Sequence, residues 1–397
     1  MKASLEPGEH GAPCLLVIAG EASSDLHCAS LLKELKTLHP GISFVGIGGN
    51  NMQEQGVELI AHAKELGVVG VFEVLKKLRR VLTAYRSAVD IIRSGQITTA
   101  LFVDYPEFNL KLAGHAHRSG IPVLYYISPQ VWAWRPGRIK KIARLVDKIL
   151  VLFSFEKQLY DEVGLDVEFV GHPLLDTVAP SMGRREFLDE LNLDPSRRLV
   201  LLLPGSRSSE IENLLPPFLE AARLVTEESG PLSPHVILAL ADTIERGSIG
   251  EMIADHPHVT VVQGKTYNAL NASDVAMVAS GTATLEAAIL GVPMVVGYRV
   301  SPATYLLGRV LVRVSHVALP NIIAGREIVP ELLQNELTPS GLAERTLALL
   351  RDEGARVRQK QDLKSVTDLL GERGASKRAA AAVSEFLDSV RSSHASV

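Results

Sequence analysis

The stretch Leu15-Leu-Val-Ile-Ala-Gly-Glu-Ala-Ser-Ser-Asp25 decides the fold class of this 397-residue chain. Its apolar first half predicts a buried strand, and the polar turn that follows opens a helix that runs to about Leu38. Further apolar runs alternate with amphipathic stretches along the rest of the first half. This alternation is typical of βαβ units around a parallel sheet.

The alternating pattern begins a second time after about residue 177. The predicted strands are 15–19, 42–47, 99–103, 123–127, 148–152 and 167–170, and then 199–203, 236–239, 259–262, 275–278 and 293–296. From about residue 338 the chain is helical and rich in alanine. We therefore predict an α/β protein with two doubly wound parallel-sheet domains that face a cleft, with ligand-binding loops at the carboxyl edges of the strands.

Composition narrows the class of protein. The net charge of −4 argues against general nucleic-acid binding. Cys14 and Cys28 are the only cysteines, too few for a disulfide framework or a cysteine-rich zinc site. Residues 1–13 lack the apolar core of a signal peptide, and no apolar stretch is long enough to span a bilayer. We expect a cytoplasmic protein, with two basic clusters as possible contacts to a membrane surface.

Asp104 comes directly after the predicted strand 99–103, in Asp104-Tyr-Pro-Glu-Phe-Asn109. A carboxylate at the carboxyl end of a central strand projects into the expected cleft. There it can accept a proton from an acceptor hydroxyl as a general base. The alternative is that Asp104 only caps the helix that follows.

The segment Ser280-Gly-Thr-Ala-Thr-Leu-Glu286 follows a predicted strand and opens a helix. Its small residues let a phosphate approach the positive end of that helix. It has neither the Gly-x-Gly-x-x-Gly spacing nor a Walker lysine, so it favours a nucleotide-sugar diphosphate over NAD or ATP. An ordinary capped helix is the alternative. The predicted ligand-binding residues here are Ser280, Gly281, Thr282, Thr284 and Glu286.

Two further loops lie at predicted strand ends. Pro204-Gly-Ser-Arg207 offers Ser206, and Arg207 to neutralise a leaving diphosphate; a surface arginine beside a turn is the alternative. In Gly20–Asp25, the side chains of Glu21, Ser23 and Asp25 suit the recognition of sugar hydroxyls. A plain N-cap by Ser24 or Asp25 explains the helix start equally well.

Both tryptophans, Trp132 and Trp134, lie in Ser128-Pro-Gln-Val-Trp-Ala-Trp-Arg-Pro-Gly-Arg138, at the start of a basic run that includes Arg135. Large aromatic residues and cations on one loop indicate a surface for a partly apolar, partly anionic ligand. The alternative is that the rings plug a core and the cations are solvated.

A second basic cluster, residues 76–80, follows the apolar segment 66–72. Val69 and Phe72 in that segment, together with Lys76, form a candidate seat for acyl chains or an anionic membrane. For the helical stripe from Val71 to Ile92, the pattern favours the alternative, a core-packing helix that has a solvated basic face.

Together, several segments resemble the lipid-A-disaccharide synthases, a family of inverting GT-B glycosyltransferases. The matching segments are 19–25, 46–49, 104–109, 126–135, 169–173, 203–207, 281–286, 296–299 and 319–326. The family often has glycine where this chain has Ser24, and aspartate where it has Glu107. The resemblance implies a GT-B fold with Rossmann-like domains at 14–177 and 178–374. It also implies a helix at about 375–397 that crosses back to the first domain, and it leaves 1–13 as a flexible extension.

The resemblance also implies a reaction. UDP-2,3-diacylglucosamine and 2,3-diacylglucosamine 1-phosphate (lipid X) would form a β(1→6)-linked disaccharide 1-phosphate and UDP, without a metal or another cofactor. Asp104 matches the family's proposed base, and Arg207, Glu286, Asn321 and Arg326 match positions expected around UDP. The residues that we assign to the acceptor and its lipid are Glu21, Ser23, Asp25, Asn109, Trp134, Arg135, Val69, Phe72 and Lys76. We expect peripheral association with the inner leaflet of the inner membrane, and a possible homodimer.

Two other functions compete with this one. A nucleotide-sugar epimerase uses the same two-sheet architecture but has no need of the aromatic-basic loop or the apolar segment 66–72. A non-catalytic lipid carrier leaves Arg207 and the segment Ser280–Glu286 unexplained.

Overall fold

The structure is a computed structural model that describes residues 13–65, 73–129, 136–300 and 316–395. Contacts between residues divide the chain into two compact units. The first unit comprises Met1–Asp176 and Leu370–Val397, and the second comprises Thr177–Leu369. The sequence predicted a boundary one residue later, after 177, and a return to the first domain at about 375 instead of Leu370.

The first unit is built on a seven-stranded sheet in which every paired neighbour is parallel. Its strands are β1 Cys14–Ala19, β2 Ser43–Gly48, β3 Val57–His62, β4 Thr99–Val103, β5 Val123–Tyr126, β6 Lys148–Val151 and β7 Asp166–Phe169. They lie in the order β3-β2-β1-β4-β5-β6-β7. The chain order reverses between β1 and β4, which is the doubly wound arrangement predicted from the sequence.

The second unit repeats the same order with six parallel strands, β10-β9-β8-β11-β12-β13. Its strands are β8 Leu199–Leu203, β9 His235–Leu240, β10 Val259–Gln263, β11 Val275–Ala279, β12 Met294–Tyr298 and β13 Glu331–Leu333. The reversal here falls between β8 and β11. The prediction of two doubly wound parallel sheets, the fold class of GT-B proteins, is confirmed.

Helices cover the faces of both sheets. Those of the first unit are α1 Ala22–Leu38, α2 Asn50–Glu54, α3 Glu73–Arg93, α4 Pro106–Arg118, α5 Ile139–Ala143, α6 Ser154–Asp161 and, ending at the boundary, α7 Leu174–Thr177. The second unit holds α8 Arg184–Glu190, α9 Ser208–Glu228, α10 Gly250–Ile253, α11 Thr266–Ala272, α12 Thr282–Ile289, α13 Leu319–Ala324, α14 Pro339–Arg351 and α15 Glu353–Asp368. The last helix, α16 Ala375–Ala395, belongs to the first unit.

Strands β3 and β13 were missed in the sequence. Both lie at an edge of their sheet, and their residues are mostly half-buried, unlike the fully buried β4 and β8. Glu58 and His62 in β3 and Glu331 in β13 interrupt the apolar runs on which the prediction depended. Edge strands tolerate such polar residues because only one side of the strand is paired.

The carboxyl-terminal helix α16 packs against α1 of the first unit. Its start is held by Asp176, whose carboxylate accepts hydrogen bonds from the backbone N–H groups of Gly374 and Ser376. Farther along, Arg378 donates to the carbonyl oxygen of Val170 at 2.9 Å, and the Ser384 hydroxyl lies 2.8 Å from the ring of His39. These bonds attach the last residues of the chain to its first sheet.

Among the side chains of α3 that the structure describes, from Arg79 onward, the predicted stripe is buried towards the carboxyl end of the helix. Val89 and Ile92 belong to the first unit's core, whereas Leu82 is 43% exposed. Arg79 and Arg80 lie on the exposed surface. Val69 and Phe72 lie outside the described residues, as does the side chain of Lys76. No helix among the described residues is long and apolar enough to cross a membrane.

Candidate active site

The points where the strand order reverses define a candidate site in each unit. In the first unit, the loops after β1 and β4 begin at Gly20 and Asp104. In the second unit, the loops after β8 and β11 begin at Pro204 and Ser280. Ligands of doubly wound sheets bind at this edge because the two loops diverge to opposite faces and leave a crevice.

Asp104 occupies an unusual backbone conformation in the first unit. Asp104 and Tyr105 both have a φ of 47°, in the left-handed region that residues other than glycine rarely adopt. Each such residue costs about 1–3 kcal/mol unless its surroundings hold it in place. Here the carbonyl oxygen of Asp104 accepts hydrogen bonds from the Tyr125 hydroxyl at 2.5 Å and the Asn109 amide at 2.7 Å.

This conformation tests the capping role considered for Asp104. The N-cap residue of α4 is Tyr105, with Pro106 in the first helical turn, so the helix begins after Asp104. The capping alternative is therefore wrong. The carboxyl group lies at the edge of the sheet and is partly exposed.

The environment of Asp104 raises the pKa of its carboxyl group to about 6. The largest cause is burial, and the second is the negative charge of Glu21; a hydrogen bond from the backbone of Tyr105 opposes both. At neutral pH this carboxylate is ionised yet holds a proton more readily than an ordinary aspartate. That combination suits a general base.

The loop after β1 is shaped by the aromatic ring of Tyr105. A Cβ atom on Gly20 would lie 2.4 Å from that ring, so only glycine fits there. Glu21, the N-cap residue of α1, and Ser23 are exposed at this edge, where the sequence placed them. The alternative cap by Ser24 or Asp25 is wrong, since both lie inside the first turn of α1.

Asp25 has a different role from the one predicted. It is 3% exposed, and its carboxylate accepts hydrogen bonds from the backbone N–H groups of Gly49, Asn51 and Met52 at 2.6, 3.2 and 3.1 Å. It thereby caps α2 from another helix. A Cβ atom on Gly49 would lie 2.6 Å from this carboxylate, so the glycine is required. Asp25 orders the loop and is not placed to contact a sugar.

Asn109 likewise acts on the backbone. It is fully buried, and its amide nitrogen lies within 3.4 Å of the carbonyl oxygens of Ile18, Val103 and Asp104. The predicted direct contact with the acceptor is incompatible with this burial. Asn109 instead joins the ends of β1 and β4, the two strands between which the sheet reverses.

Trp132, Trp134 and Arg135 lie outside the described residues. The residues at either end of that loop are held by side-chain contacts. The hydroxyl groups of Ser128 and Tyr160 are 2.7 Å apart, and Arg138 is ion-paired with Glu107. Glu107, whose side chain is longer than the aspartate that the family often has there, therefore supports the carboxyl-terminal end of the loop.

In the second unit, the loop Pro204–Arg207 is wrapped around Glu210. The Glu210 carboxylate accepts hydrogen bonds from the backbone N–H groups of Ser206 and Arg207 at 2.9 and 3.3 Å. Gly205 has a φ of 118°, and a Cβ atom there would lie 2.3 Å from Glu210. The Thr243 hydroxyl holds the loop from the other side by donating to the Ser206 carbonyl at 2.6 Å. The Arg207 side chain, 65% exposed, also pairs with Glu210 at 3.3 Å.

The loop after β11 exposes backbone groups and the Thr282 side chain, whereas the hydroxyls of Ser280 and Thr284 are bonded within the protein. Gly281 and Thr282 are exposed at the start of α12, and nothing lies within 4 Å of a Cβ atom built on Gly281. Ser280 donates its hydroxyl proton to the Val317 carbonyl, and the buried Thr284 donates to the Gly281 carbonyl. In this conformation neither hydroxyl is available to donate to a phosphate, contrary to the ligand-binding role predicted for Ser280 and Thr284. Thr282 and the helix terminus remain available for that role.

Glu286 lies one turn into α12 and is partly buried. It accepts a hydrogen bond from the Tyr267 hydroxyl at 3.0 Å, and burial raises its pKa. The second carboxylate oxygen leaves capacity for a further donor, which keeps the predicted contact with ribose hydroxyls open.

Asn321 is a positioning residue in this structure. It is fully buried, and its amide group makes four hydrogen bonds, with Ile328, Val329 (two bonds) and Glu331. All its capacity is used, so direct contact with UDP is not compatible with this conformation. Arg326 is exposed and pairs with Asp362 of α15 at 2.5 Å. Within the described residues, no hydrogen bond or ion pair joins Arg326 to the loops after β8 and β11.

Several residues that shape these loops were missed in the sequence. Tyr125 reads as one more apolar residue of β5, and Thr243 and Glu331 lie far along the chain from the loops that they hold. Glu331 accepts hydrogen bonds from the backbone N–H groups of Val317 and Ala318, both at 3.0 Å. No local pattern could have identified them, because their partners are brought near only by the fold.

The comparisons with known proteins agree with the motifs. Residues 15–386 match the family model described as lipid-A-disaccharide synthetase. The lipid-A-disaccharide synthase of Syntrophus aciditrophicus (strain SB) is 45% identical over 368 residues, which cover 92% of this chain and 96% of that protein. The chain belongs to the lipid-A-disaccharide synthase family. It is therefore a glycosyltransferase of lipid A biosynthesis, and the family prediction is confirmed.

Solved structures resemble the chain in fold alone. A putative UDP-N-acetylglucosamine 2-epimerase from Listeria monocytogenes has a TM-score of 0.61 at 13% identity, covering 95% of this chain and 97% of that one. CalG4, the calicheamicin glycosyltransferase, has a TM-score of 0.59 at 16% identity, covering 95% and 99%. Because an epimerase and a transferase match about equally, only family membership separates the two.

The described residues offer no candidate metal site. Across the described ranges, His, Cys, Asp and Glu side chains form no group of three or more that could hold a metal ion. Independence from metals and cofactors remains a prediction.

Proposed function

We propose that the chain transfers 2,3-diacylglucosamine from UDP to the 6-hydroxyl of 2,3-diacylglucosamine 1-phosphate, with Asp104 as the general base. The observation that carries this proposal is the Asp104 carboxyl group itself. It lies at the reversal point of the first sheet, on a backbone held in a strained conformation, with a pKa of about 6. Strained residues with perturbed pKa values concentrate at catalytic sites.

The proposed step is a single displacement. Asp104 takes the proton of the acceptor 6-hydroxyl while that oxygen forms a bond to C1 of the donor sugar. The bond from C1 to the diphosphate oxygen breaks, and UDP leaves with the electron pair. Attack from the side opposite to UDP inverts the configuration at C1, so an α-linked donor gives a β-linked product.

The second unit supplies the groups for the nucleotide. Arg207, exposed beside Ser206, neutralises charge on the departing diphosphate. The exposed start of α12, at Gly281 and Thr282, offers backbone N–H groups to a phosphate. Glu286 accepts hydrogen bonds from ribose hydroxyls. These charges and dipoles stabilise the leaving group without a metal ion.

The acceptor is lipid-linked, and we propose that the first unit meets the inner leaflet of the inner membrane peripherally. Exposed cations on α3 and around α5 support this: Arg79, Arg80, Lys140, Lys141 and Arg144. Cations near an anionic leaflet each contribute about 1 kcal/mol to binding. We also propose that the chain forms a homodimer.

The decisive experiment supplies both diacylated substrates and measures disaccharide 1-phosphate and UDP. Formation of both products in equal amounts, with a β(1→6) linkage by NMR, supports the proposal. Incubation with UDP-N-acetylglucosamine alone tests the epimerase hypothesis. Formation of a new sugar epimer in the absence of an acceptor would contradict the proposed transferase activity. Absence of UDP binding by calorimetry would instead favour the lipid carrier.

A further inference from the structure

The carbonyl oxygen of Asp104 is the acceptor of two side-chain hydrogen bonds from different elements. The Tyr125 hydroxyl, on β5, donates at 2.5 Å, and the Asn109 amide, on α4, donates at 2.7 Å. Neither donor touches the surface, since both residues are fully buried. Two buried donors on one carbonyl leave the peptide group between Asp104 and Tyr105 a single orientation.

That peptide group joins the two left-handed residues. With a φ of 47° at both Asp104 and Tyr105, the unassisted backbone would relax towards a more populated region. Relaxation would rotate the Cα–Cβ bond of Asp104 and move its carboxyl group. The Tyr105 ring closes the arrangement from the other side, because it packs where a side chain on Gly20 would otherwise lie.

We infer that Tyr125 and Asn109 are positioning residues for the reaction, which hold the Asp104 carboxyl group in place through the carbonyl oxygen of the same residue. This inference rests on the proposed function of Asp104 as the base. Tyr125 is suited to the task because burial raises its pKa well above the ordinary value, so its hydroxyl stays a donor. Asn109 adds rigidity through its contacts with the carbonyls of Ile18 and Val103.

The next residue of β5 provides a matched control. Tyr126 is as fully buried as Tyr125, but successive side chains of a strand point to opposite faces. Tyr125 belongs to the core beneath α3 and α4, whereas Tyr126 lies on the face near Cys28 and Asp176. Within the described residues, the Tyr126 hydroxyl has no hydrogen-bond partner. The backbone carbonyl of Tyr126 accepts a hydrogen bond from the Asp104 N–H at 3.0 Å, and Tyr126→Phe leaves that bond in place. The variant therefore removes a buried hydroxyl from the same strand and none of the hydrogen bonds to Asp104.

The test compares Tyr125→Phe and Tyr126→Phe, each alone and combined with Asp104→Asn, by UDP release in single turnovers with enzyme in excess. We expect Tyr125→Phe to lower the rate constant by about 10-fold or more, since small displacements of a catalytic group are costly. The KM values for both substrates, from steady-state assays, should change less than twofold. The affinity for UDP, from calorimetry, should also change less than twofold. In the Asp104→Asn background, Tyr125→Phe should have almost no effect. Tyr126→Phe should be neutral in both backgrounds.

Equal rates for Tyr125→Phe and Tyr126→Phe would overturn the inference. So would an equal loss from Tyr125→Phe with and without the Asp104 carboxylate, which indicates a general structural effect. Asn109→Ala tests the second bond, but Tyr125→Phe is the primary variant because it leaves packing almost unchanged. A wild-type enzyme without UDP release, or Asp104→Asn at the wild-type rate, would contradict the proposed function and remove the inference with it.

Discussion

The two sheets share one strand order but present different chemistry at the point where that order reverses. In the first unit the loops carry the carboxylates Glu21 and Asp104 and two non-glycine residues in left-handed conformation. In the second unit the corresponding turns use Gly205 and Gly281 and end in exposed helix starts with a cation, Arg207. Under the proposed function, the strained backbone of the first unit orients the reacting carboxylate, whereas the second unit presents an open surface to the diphosphate.

The largest expected effect separates chemistry from binding. Asp104→Asn should lower kcat by about 10²–10⁴-fold, the usual contribution of a general base. UDP affinity, measured by calorimetry, should be unchanged because the proposed UDP site lies in the second unit. A variant with near-normal kcat would show that the strained loop of the first unit does not serve acid–base chemistry.

The same substitution should reveal the free-energy cost of ionising the buried Asp104 carboxyl group. Burial raises the pKa of Asp104 from 3.8 to about 6, so the folded state binds its proton more tightly than the unfolded state does. Ionisation therefore reduces stability progressively as pH rises between those values, and the loss is complete above them. Asp104→Asn cannot ionise, and we expect it to exceed wild type in unfolding free energy by up to about 3 kcal/mol at pH 8.

Urea denaturation at pH 8 and at pH 3.5 measures this difference. The advantage of the asparagine variant should be mostly lost at pH 3.5, where the wild-type carboxyl group is largely protonated in both states. Asp90→Asn, at an exposed position on α3, is the control. An advantage of equal size at both pH values would show that it arises from packing and not from ionisation.

The matching substitution in the second unit should change binding. Arg207→Ala is expected to weaken UDP binding by about 10–100-fold, because a hydrogen bond to a charged group contributes about 1.5–3 kcal/mol. Arg223→Ala removes an arginine of α9 that pairs with Glu220 and Glu227, and it should leave UDP affinity unchanged. Similar losses in both variants would indicate a general charge effect on the second unit.

The smallest expected effect concerns the membrane. Replacing Arg79 and Arg80 together with glutamine should weaken partitioning onto vesicles with phosphatidylglycerol by about 10–30-fold, from about 1 kcal/mol per lost cation. Arg185→Glu, at an exposed position of the second unit, should have little effect. If sedimentation assays showed an equal loss of vesicle binding for the double variant and for Arg185→Glu, a membrane surface specific to the first unit would be contradicted.

Buried strands were predictable because each is a short, nearly uninterrupted apolar run, as β8 from Leu199 to Leu203 illustrates. The edge strands β3 and β13 were not, because polar residues at half-buried positions hide them. Asp104 was identifiable as a candidate base from its place directly after a strand. The roles of Asn109, Asn321 and Asp25 were predicted as ligand contacts, yet the structure shows them buried and bonded to backbone groups.

Two doubly wound α/β halves and membership of one glycosyltransferase family could be inferred from the sequence. Those properties depend on local apolar periodicity and on motifs whose residues are adjacent in the chain. Which polar residues of those motifs reach the surface, and which hold the backbone, depends on the tertiary structure. Tyr125 acts on Asp104 from 21 positions away and Glu331 on Val317 from 14. Such hydrogen bonds depend on strand register and on burial, which the spacing of residues along a chain does not contain.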